Sequence, residues 1–327
     1  MPLAEKKLIA EIRRRANVHS KVLLAGIGDD CAVLHEQPGY ELLVTTDFSL
    51  EGTHFRRDWH PAESVGHRCL ARGLSDIAAM GGEPVSAFLS LALPRDLPQR
   101  WVTKFIKGFL RLAEKYQTPL AGGDTAQSVG GILADIIVVG RVPKGKAVLR
   151  SGARPGDRIY VSGKLGGSAA AVHLFLSQQS ETGGPAPKGP TIRDYPRHFY
   201  PDPRVALGRE LRKRRLATSM IDLSDGLSTD LEHICKESGA GAAIEAARIP
   251  RAKVGRPSRE VDLPLALNGG EDYELLFTAR AKTRIPAELA GVPLTEIGRI
   301  TNAQKVVIID DRGNERELRA QGWEHFR

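Results

Sequence analysis

Apolar residues recur along the chain with two different periods, and the two periods alternate. Near-continuous apolar runs predict strands at 41–48 (ELLVTTDF) and 84–94 (PVSAFLSLALP). A period close to 3.6 residues predicts helices at 61–82, with Gly81 as its stop, and at 98–117. Four large residues of the second helix share one stripe, which we interpret as core: Trp101, Phe105, Leu112 and Tyr116.

The second half of the chain repeats this alternation, which predicts an α/β or α+β fold without fixing the order of the strands. The expected strands are 158–163, 217–225, 273–279 and, with its closing turn, 305–314. The expected helices are 166–176, 203–217 and 227–239. The stretch 177–198 is rich in Gly, Pro and Ser and is expected to be an exposed loop. The stretch 141–157 (RVPKGKAVLRSGARPGD) separates two strand-like segments and is the expected domain boundary. It predicts an N-terminal domain, 1–148, and a C-terminal domain, 149–327.

The composition indicates an ordinary globular protein. Of 327 residues, 41% are hydrophobic, and no apolar run approaches the roughly 18 residues of a membrane span. The first residues mix acids and bases, unlike a secretory signal. Cys31, Cys69 and Cys235 lie far apart without a CxxC pair, which argues against a zinc site or a disulfide framework. We therefore expect a cytoplasmic protein with no membrane partner.

The net charge of +8 does not by itself indicate a nucleic-acid-binding protein. The basic clusters at 13–15 and 212–215 lack interleaved aromatic residues and match no common nucleic-acid-binding motif. We interpret them as solvated helix faces, and we expect no nucleic-acid partner. A basic surface can also attract anionic small molecules.

Acidic residues recur beside glycines at the ends of apolar segments. A lone acid in such a place is usually a helix cap or a turn residue, but a set of acids beside buried segments needs cations. The oxygens of Thr45 and Thr46 and the nearby glycine loops suit Mg²⁺ shared with phosphate groups. The acids are Asp29, Asp30, Asp47, Asp76, Asp124, Asp222, Asp225, Glu271 and Asp272.

Other kinds of site fit the sequence less well. The stretch 140–147 (GRVPKGKA) nearly matches a P-loop, but Ala147 replaces the hydroxyl that would hold Mg²⁺. The chain has no Ca²⁺-binding loop motif, no HExxH motif and no GxSxG motif. Covalent catalysis therefore lacks support, and a metal–phosphate site is the better interpretation.

Taken together, the motifs resemble those of the thiamine-monophosphate kinases, in the superfamily of aminoimidazole ribonucleotide synthetase. The matching pieces appear in family order over nearly the whole chain. They are GIGDDCAVL, TTDFSLEGTHF, LARGLSDIAAMGGEP, AGGDT, VLRSGARPGD, IDLSDGLSTDL, NGGEDYELLF and GWEHF. The chain lacks the reactive N-terminal-loop cysteine of selenophosphate synthetases and the C-terminal cysteine of the hydrogenase-maturation relatives.

The resemblance implies phosphorylation of thiamine monophosphate by ATP to thiamine diphosphate, by in-line transfer assisted by several Mg²⁺ ions. It also implies an N-terminal α/β domain whose strands join those of a second subunit in a β-barrel, a C-terminal α/β domain, and hence a homodimer. No general base is expected, because the acceptor is itself an ionised phosphate.

The resemblance also implies roles for particular residues, with Asp29 a further partner of the metal ions. The implied Mg²⁺ ligands are Asp30, Thr45, Thr46, Asp47, Asp76, Asp124, Asp222 and Asp225. The implied ATP contacts are Gly123, Asp124, Arg150 and Ser224, and the implied thiamine monophosphate contacts are His54, Glu271 and Trp323. Two alternatives stay open: a related ATP-dependent enzyme acting on another acceptor, and a non-catalytic binder of metal and nucleotide.

Overall fold

The computed structural model describes residues 23–25, 32–35, 38–180 and 191–326, and these form two sheets with helices between and beside them. The first sheet has the strand order β1-β2-β3-β6-β4-β5. Its strands are β1 (Leu23–Ala25), β2 (Ala32–His35), β3 (Tyr40–Leu50), β4 (Glu83–Pro94), β5 (Leu120–Ser128) and β6 (Leu133–Pro143). All neighbouring pairs are antiparallel except β4 and β5, which are parallel.

The second sheet has the order β16-β15-β9-β14-β7-β12-β8, with β13 paired to β14. Its strands are β7 (Arg158–Ser162), β8 (Ser219–Asp222), β9 (Gly241–Glu245), β12 (Leu275–Ala279), β13 (Glu288–Leu289), β14 (Val292–Thr301), β15 (Val306–Ile309) and β16 (Glu315–Glu317). A separate two-stranded ribbon pairs β10 (Lys253–Val254) with β11 (Arg259–Glu260).

The helices lie mainly between these sheets or against the second one. Those of the described residues are α1 (Ala62–Ala79), α2 (Gln99–Lys115), α3 (Gly167–Ser180), α4 (Pro196–Phe199), α5 (Val205–Lys213), α6 (Leu227–Ser238) and α7 (Leu263–Asn268). A short 3₁₀ turn covers Ala246–Arg248. No helix of the described residues is long and apolar enough to cross a bilayer.

Helix α1 lies at the centre of the molecule. Only Glu63, His67 and Asp76 of its eighteen residues are not buried. It packs against β3 and β6 of the first sheet, against α2 and α5, and against β8 of the second sheet. One apolar core therefore continues from the first sheet through α1 to the second sheet, where it includes Met220 and Phe277.

A second core lies on the other face of the second sheet. Alternate residues of β12 enter different cores, because successive side chains of a strand point to opposite faces. Phe277 belongs to the core around α1, whereas Leu276 packs with Leu231 of α6 in the second core. The second sheet is thus covered by apolar packing on both faces.

Helices α1 and α2 approach each other closely because each has a glycine at the crossing. A Cβ atom built on Gly66 would lie 1.9 Å from the carbonyl oxygen of Phe105, and one built on Gly108 would lie 1.9 Å from that of Glu63. Both distances are far below a van der Waals contact. No larger residue fits at either position without moving the helices apart.

The other face of the first sheet is not covered by α1 or α2. Along β3, the residues on the α1 side are mostly buried, whereas the alternate residues are more exposed. Phe48 is 52% exposed and Phe88 of β4 is 36% exposed on this second face. Ile137 of β6 pairs with both Thr46 and Phe88, so the three side chains share one row. The described residues thus leave large apolar side chains exposed on this face, next to polar ones such as Thr46.

Most predicted elements are confirmed, and the differences have physical reasons. The helices at 61–82 and 98–117 are α1 and α2, although Pro98 precedes the second helix as its cap. The glycine loop around 121–125 is in fact strand β5, an edge strand that glycine does not predict. Strands β9 and β14 were not predicted, and their glycines weakened the apolar alternation.

Candidate active site

Three side chains of α1 contact acidic or hydroxyl groups from both sheets. The Arg72 Nη1 donates to Oδ1 of Asp47 on β3 at 3.0 Å, and the Ser75 hydroxyl donates to Oδ2 of Asp222 on β8 at 2.6 Å. The Thr45 hydroxyl donates to Asp76. Positions 72, 75 and 76 lie on one side of a helix because three or four residues make a turn. Helix α1 therefore brings carboxylates of both sheets to one side of itself.

Glu271 joins this cluster from the loop that precedes β12. Its Oε2 accepts from Arg68 Nη2 at 2.5 Å and its Oε1 accepts from Arg72 Nη2 at 2.8 Å. Burial alone would raise the pKa of Glu271, but the two guanidinium groups hold it well below its ordinary value. Glu271 has a φ of 63°, and its backbone N–H donates to the carbonyl of Ser224 at 2.8 Å. The loop is thereby fixed against the residues that follow β8.

A second group of acids surrounds the start of α6. Ligand atoms of Asp225, Asp230 and His233 all lie within 4.8 Å of one another. The Asp230 carboxylate accepts the backbone N–H groups of Asp225 at 3.2 Å and Gly226 at 3.0 Å. Burial, followed by the charges of Asp225 and Asp222, raises the pKa of Asp230 well above its ordinary value. Three carboxylates thus stand close together here.

Two of the residues expected to contact the acceptor, His54 and Trp323, both lie next to His325, and the third, Glu271, is close enough to His54 to affect its pKa. The rings of His54 and His325 are 5.4 Å apart, and Trp323 donates through Nε1 to His325 Nε2 at 3.3 Å. The Trp323 backbone N–H donates to the carbonyl of Asp225 at 3.0 Å. Burial and then the charge of Arg72 lower the pKa of His54 to about 3. Trp323 itself is 52% exposed, so one face of this group is open to solvent.

The protonation of His54 follows from one hydrogen bond. Its Nδ1 accepts the backbone N–H of Leu50 at 3.0 Å. A neutral imidazole carries one proton, so that proton lies on Nε2. At neutral pH His54 is therefore an uncharged ring with a donor on the side away from Leu50.

Other expected ligands lie on the opposite face of the first sheet from Asp47. Thr46 points away from Asp47 as its neighbour in a strand, and its hydroxyl donates to Asp135 Oδ1 at 2.8 Å. The register continues this row from Asp135 to Ser90 and on to Asp124 of β5. The expected metal ligands on the first sheet therefore divide between its two faces.

The expected ATP contacts divide between β5 and two segments outside the strands, one before β7 and one after β8. A Cβ atom built on Gly123 would lie 1.8 Å from the carbonyl oxygen of Leu89, so glycine alone fits there. The register places Gly123 three strands from Asp47, which is roughly 14 Å. Arg150 lowers the pKa of Asp230 and so lies near the second group of acids, and Ser224 is tied to Glu271. Asp29 and Asp30 lie outside the described residues.

The structure also reveals polar residues that the sequence did not single out. Arg68 and Arg72 donate hydrogen bonds to Glu271. Asp135 accepts one from the Thr46 hydroxyl, and Asp230 accepts one from the backbone N–H of Asp225. Asp135 had a visible signal, since it is the one acid in the apolar run of β6. The sequence carried no such signal for Arg68 and Arg72, because an arginine in a predicted helix is usually exposed to solvent.

Comparisons with known proteins agree with this architecture. Residues 28–142 match the family model "AIR synthase related protein, N-terminal domain", and residues 154–311 match the corresponding C-terminal model. The thiamine-monophosphate kinase of Escherichia coli (strain K12) is 39% identical, over 100% of this chain and 99% of that protein.

Two solved structures are similar along almost the whole chain. "AaThiL complexed with AMPPCP and TMP" is 34% identical with a TM-score of 0.82, covering 99% of this chain and 97% of that one. The thiamine-monophosphate kinase from Stenotrophomonas maltophilia K279a is 38% identical with a TM-score of 0.73, covering 92% and 95%. The chain therefore belongs to the thiamine-monophosphate kinase family and has the two-domain, mixed α/β fold of the AIR synthase related proteins.

Proposed function

We propose that this protein transfers the γ-phosphoryl group of ATP to thiamine monophosphate, giving thiamine diphosphate and ADP. The observation that carries the proposal is the convergence at α1. Asp47, Asp76 and Asp222, expected to hold metal, meet there with Glu271, expected to contact the acceptor. The relative AaThiL has been solved with an ATP analogue and TMP, which supports the same pair of substrates here.

The described donors fit Mg²⁺, which prefers carboxylate and hydroxyl oxygens and is commonly shared with phosphate groups. When bound, Mg²⁺ supplies positive charge that offsets the repulsion between the two phosphate-bearing substrates. We propose that it is held, directly or through water, by Asp30, Thr45, Thr46, Asp47, Asp76, Asp124, Asp222 and Asp225. We propose ATP contacts by Gly123, Asp124, Arg150 and Ser224.

Binding and orientation of the acceptor are the tasks we assign to His54, Glu271 and Trp323. The uncharged His54 presents an Nε2 donor, which suits a phosphate oxygen. Trp323 offers an exposed aromatic face, which suits a flat cationic ring. The acceptor phosphate has a second pKa of about 6, so at pH 7 it is largely ionised and no residue has to remove a proton.

We further propose that the protein is a homodimer whose first sheets join in a barrel between subunits. The sheet face opposite α1 supports this: no described element covers it, and it exposes Tyr40, Phe48, Val85 and Phe88. Exposed apolar side chains grouped in this way normally lie against another surface. We keep the division into domains at 1–148 and 149–327, and a cytoplasmic location, as parts of the same proposal.

The test is turnover of the purified chain with ATP, Mg²⁺ and thiamine monophosphate, followed by chromatography of the thiamine compounds. Formation of thiamine diphosphate in step with ADP is the expected result. ADP formation only when a different phosphorylated acceptor is added would favour another enzyme of the superfamily. Nucleotide binding with no turnover of any acceptor would favour a non-catalytic binder.

A further inference from the structure

The guanidinium of Arg72 joins two carboxylates that come from different sheets. Its Nη1 donates to Asp47 Oδ1 at 3.0 Å and to the carbonyl of Phe48 at 3.1 Å, and its Nη2 donates to Glu271 Oε1 at 2.8 Å. Arg72 is only 8% exposed. One rigid, planar group thus fixes the distance between Asp47 on β3 and Glu271 in the loop before β12.

Packing alone does not explain an arginine here. Burying charged groups is costly, and well-packed apolar residues often replace a buried ion pair without loss of stability. Here the buried arginine contacts two acids that we assign to the reaction. Its fork shape suits simultaneous contact with both, whereas an ammonium group is a single point of charge.

Arg68 provides an internal comparison one helical turn away. It also holds Glu271, through Oε2 at 2.5 Å, and it is likewise buried, at 3% exposed. Its other described contact is with the carbonyl of His198, not with Asp47. Arg68 and Arg72 therefore both contact the carboxylate of Glu271, which we assign to the thiamine monophosphate site. Only Arg72 also contacts Asp47, which we assign to the metal site.

We propose that Arg72 is a positioning residue that couples the metal site at Asp47 to the acceptor site at Glu271. This inference rests on the proposed function, because that function assigns the roles of Asp47 and Glu271. Arg72 orients one oxygen of each carboxylate at once. Displacement of either carboxylate is therefore transmitted to the other through a single side chain.

The main test compares Arg72→Lys with the matched control Arg68→Lys in the full chain. Lysine keeps the positive charge, so a change in cation binding reports geometry rather than net charge. Mn²⁺ binding without substrates is measured by electron paramagnetic resonance, and thiamine monophosphate binding is measured by calorimetry. Circular dichroism checks that each variant is folded.

For Arg72→Lys we expect both Mn²⁺ and thiamine monophosphate to bind about tenfold more weakly, the usual cost of losing a partner that orients a ligand. For Arg68→Lys we expect weaker thiamine monophosphate binding and Mn²⁺ binding unchanged within about twofold. Unchanged Mn²⁺ binding in Arg72→Lys, or an equal loss in both variants, would overturn the inference.

A second measurement tests the coupling even if Arg72→Lys does not fold. Asp47→Ala, which removes the oxygen that Arg72 contacts, is titrated with thiamine monophosphate in the presence of a chelator, so that position 47 cannot act through a metal. Loss of a negative charge would by itself tighten binding of an anion. The coupling predicts the opposite, about threefold weaker binding, because Arg72 loses one of its anchors. Unchanged or tighter binding would contradict the coupling.

The two proposals fail in different ways. If the unsubstituted chain neither binds nor phosphorylates thiamine monophosphate, the proposed function is wrong and the inference falls with it. If the unsubstituted chain does both, and the variants behave as uncoupled sites, only the role of Arg72 is wrong.

Discussion

Asp47 shows how a single carboxylate is prepared for a ligand before the ligand arrives. Its side chain is about one-third exposed, and Arg72 contacts one of its two oxygens from the buried side. The neighbouring Thr45 faces the same side of β3 and is tied to Asp76. The carboxylate is therefore held in one orientation by a group of opposite charge.

Replacement of Asp47 by Asn tests its metal role. Asn has nearly the same shape and keeps one oxygen for Arg72, so the fold is expected to survive. The negative charge that Mg²⁺ requires is lost, and we expect turnover to fall by about 100-fold or more. Steady-state kinetics with varied Mg²⁺ provides the measurement, and the thermal unfolding midpoint reports the fold.

The matched control is Asp310→Asn, a carboxylate in an exposed turn of the second sheet. It is expected to keep normal turnover. Normal turnover in Asp47→Asn would contradict the metal role of Asp47.

At single positions, the sequence singled out acidic residues but not the groups that contact them. Four acids are conspicuous in the sequence because they lie beside glycines and apolar segments, where a charge without a partner is costly: Asp47, Asp76, Asp222 and Glu271. Arg72 does not stand out, because its burial depends on β3 and the loop before β12 meeting the same turn of α1. That meeting is a property of the folded chain.

Helices α1 and α2 owe their close packing to glycine, so that contact is sensitive to a single methyl group. Gly108→Ala should lower the free energy of unfolding by about 2 kcal/mol, because the new Cβ collides with the carbonyl of Glu63. Helix propensity alone would favour Ala by roughly 1 kcal/mol, so the two effects have opposite signs. Urea denaturation followed by circular dichroism measures the difference.

Gly130→Ala serves as the comparison, since a Cβ atom at Gly130 meets nothing within 4 Å. It is expected to change stability by less than about 0.5 kcal/mol. If Gly108→Ala is as stable as the unsubstituted protein, the helices do not depend on this close approach.

Among the elements, those with a strong period were predictable and those rich in glycine were not. Helices α1 and α2 carry apolar residues at helical spacing, and β3, β4 and β6 carry apolar runs. Strand β5 reads LAGGDTAQS, in which Thr125 is the one residue of a strongly β-forming type. It forms a strand because the backbone of β4 offers it a parallel partner.

At the scale of the molecule, none of the elements at 38–180 and 191–326 covers the second face of the first sheet, and this predicts the oligomeric state. Phe88→Asp places a charge in the middle of that face and is expected to convert the proposed dimer into a monomer. Sedimentation velocity at micromolar concentration measures the change. Turnover should fall together with the dimer if the subunits complete each other's sites.

Leu110→Asp is the matched control, because Leu110 is also a partly exposed apolar residue, at 45%, but lies on α2. It is expected to leave the dimer intact. A dimer that persists in Phe88→Asp, or a monomeric unsubstituted protein, would contradict the proposed assembly.

The architecture of the whole chain could be named from the sequence only through the ordered set of motifs. Periodicity alone did not give the order β16-β15-β9-β14-β7-β12-β8, because strand neighbours are chosen by contacts distant in sequence. The resemblance supplied the fold, since eight short motifs in order are far more specific than any one of them. The meeting of both sheets at α1 then explains why those motifs are scattered along the chain.

The central position of α1 restricts how this protein can change over generations. The same turns that fill the interior also carry the side chains next to the reaction, so a mutation there disturbs folding and chemistry together. New acceptor preferences therefore have a more accessible origin in the C-terminal segment around Trp323, which is about half exposed and carries none of the proposed metal ligands. Variation among descendants should accumulate in that segment, whereas α1 should change slowly.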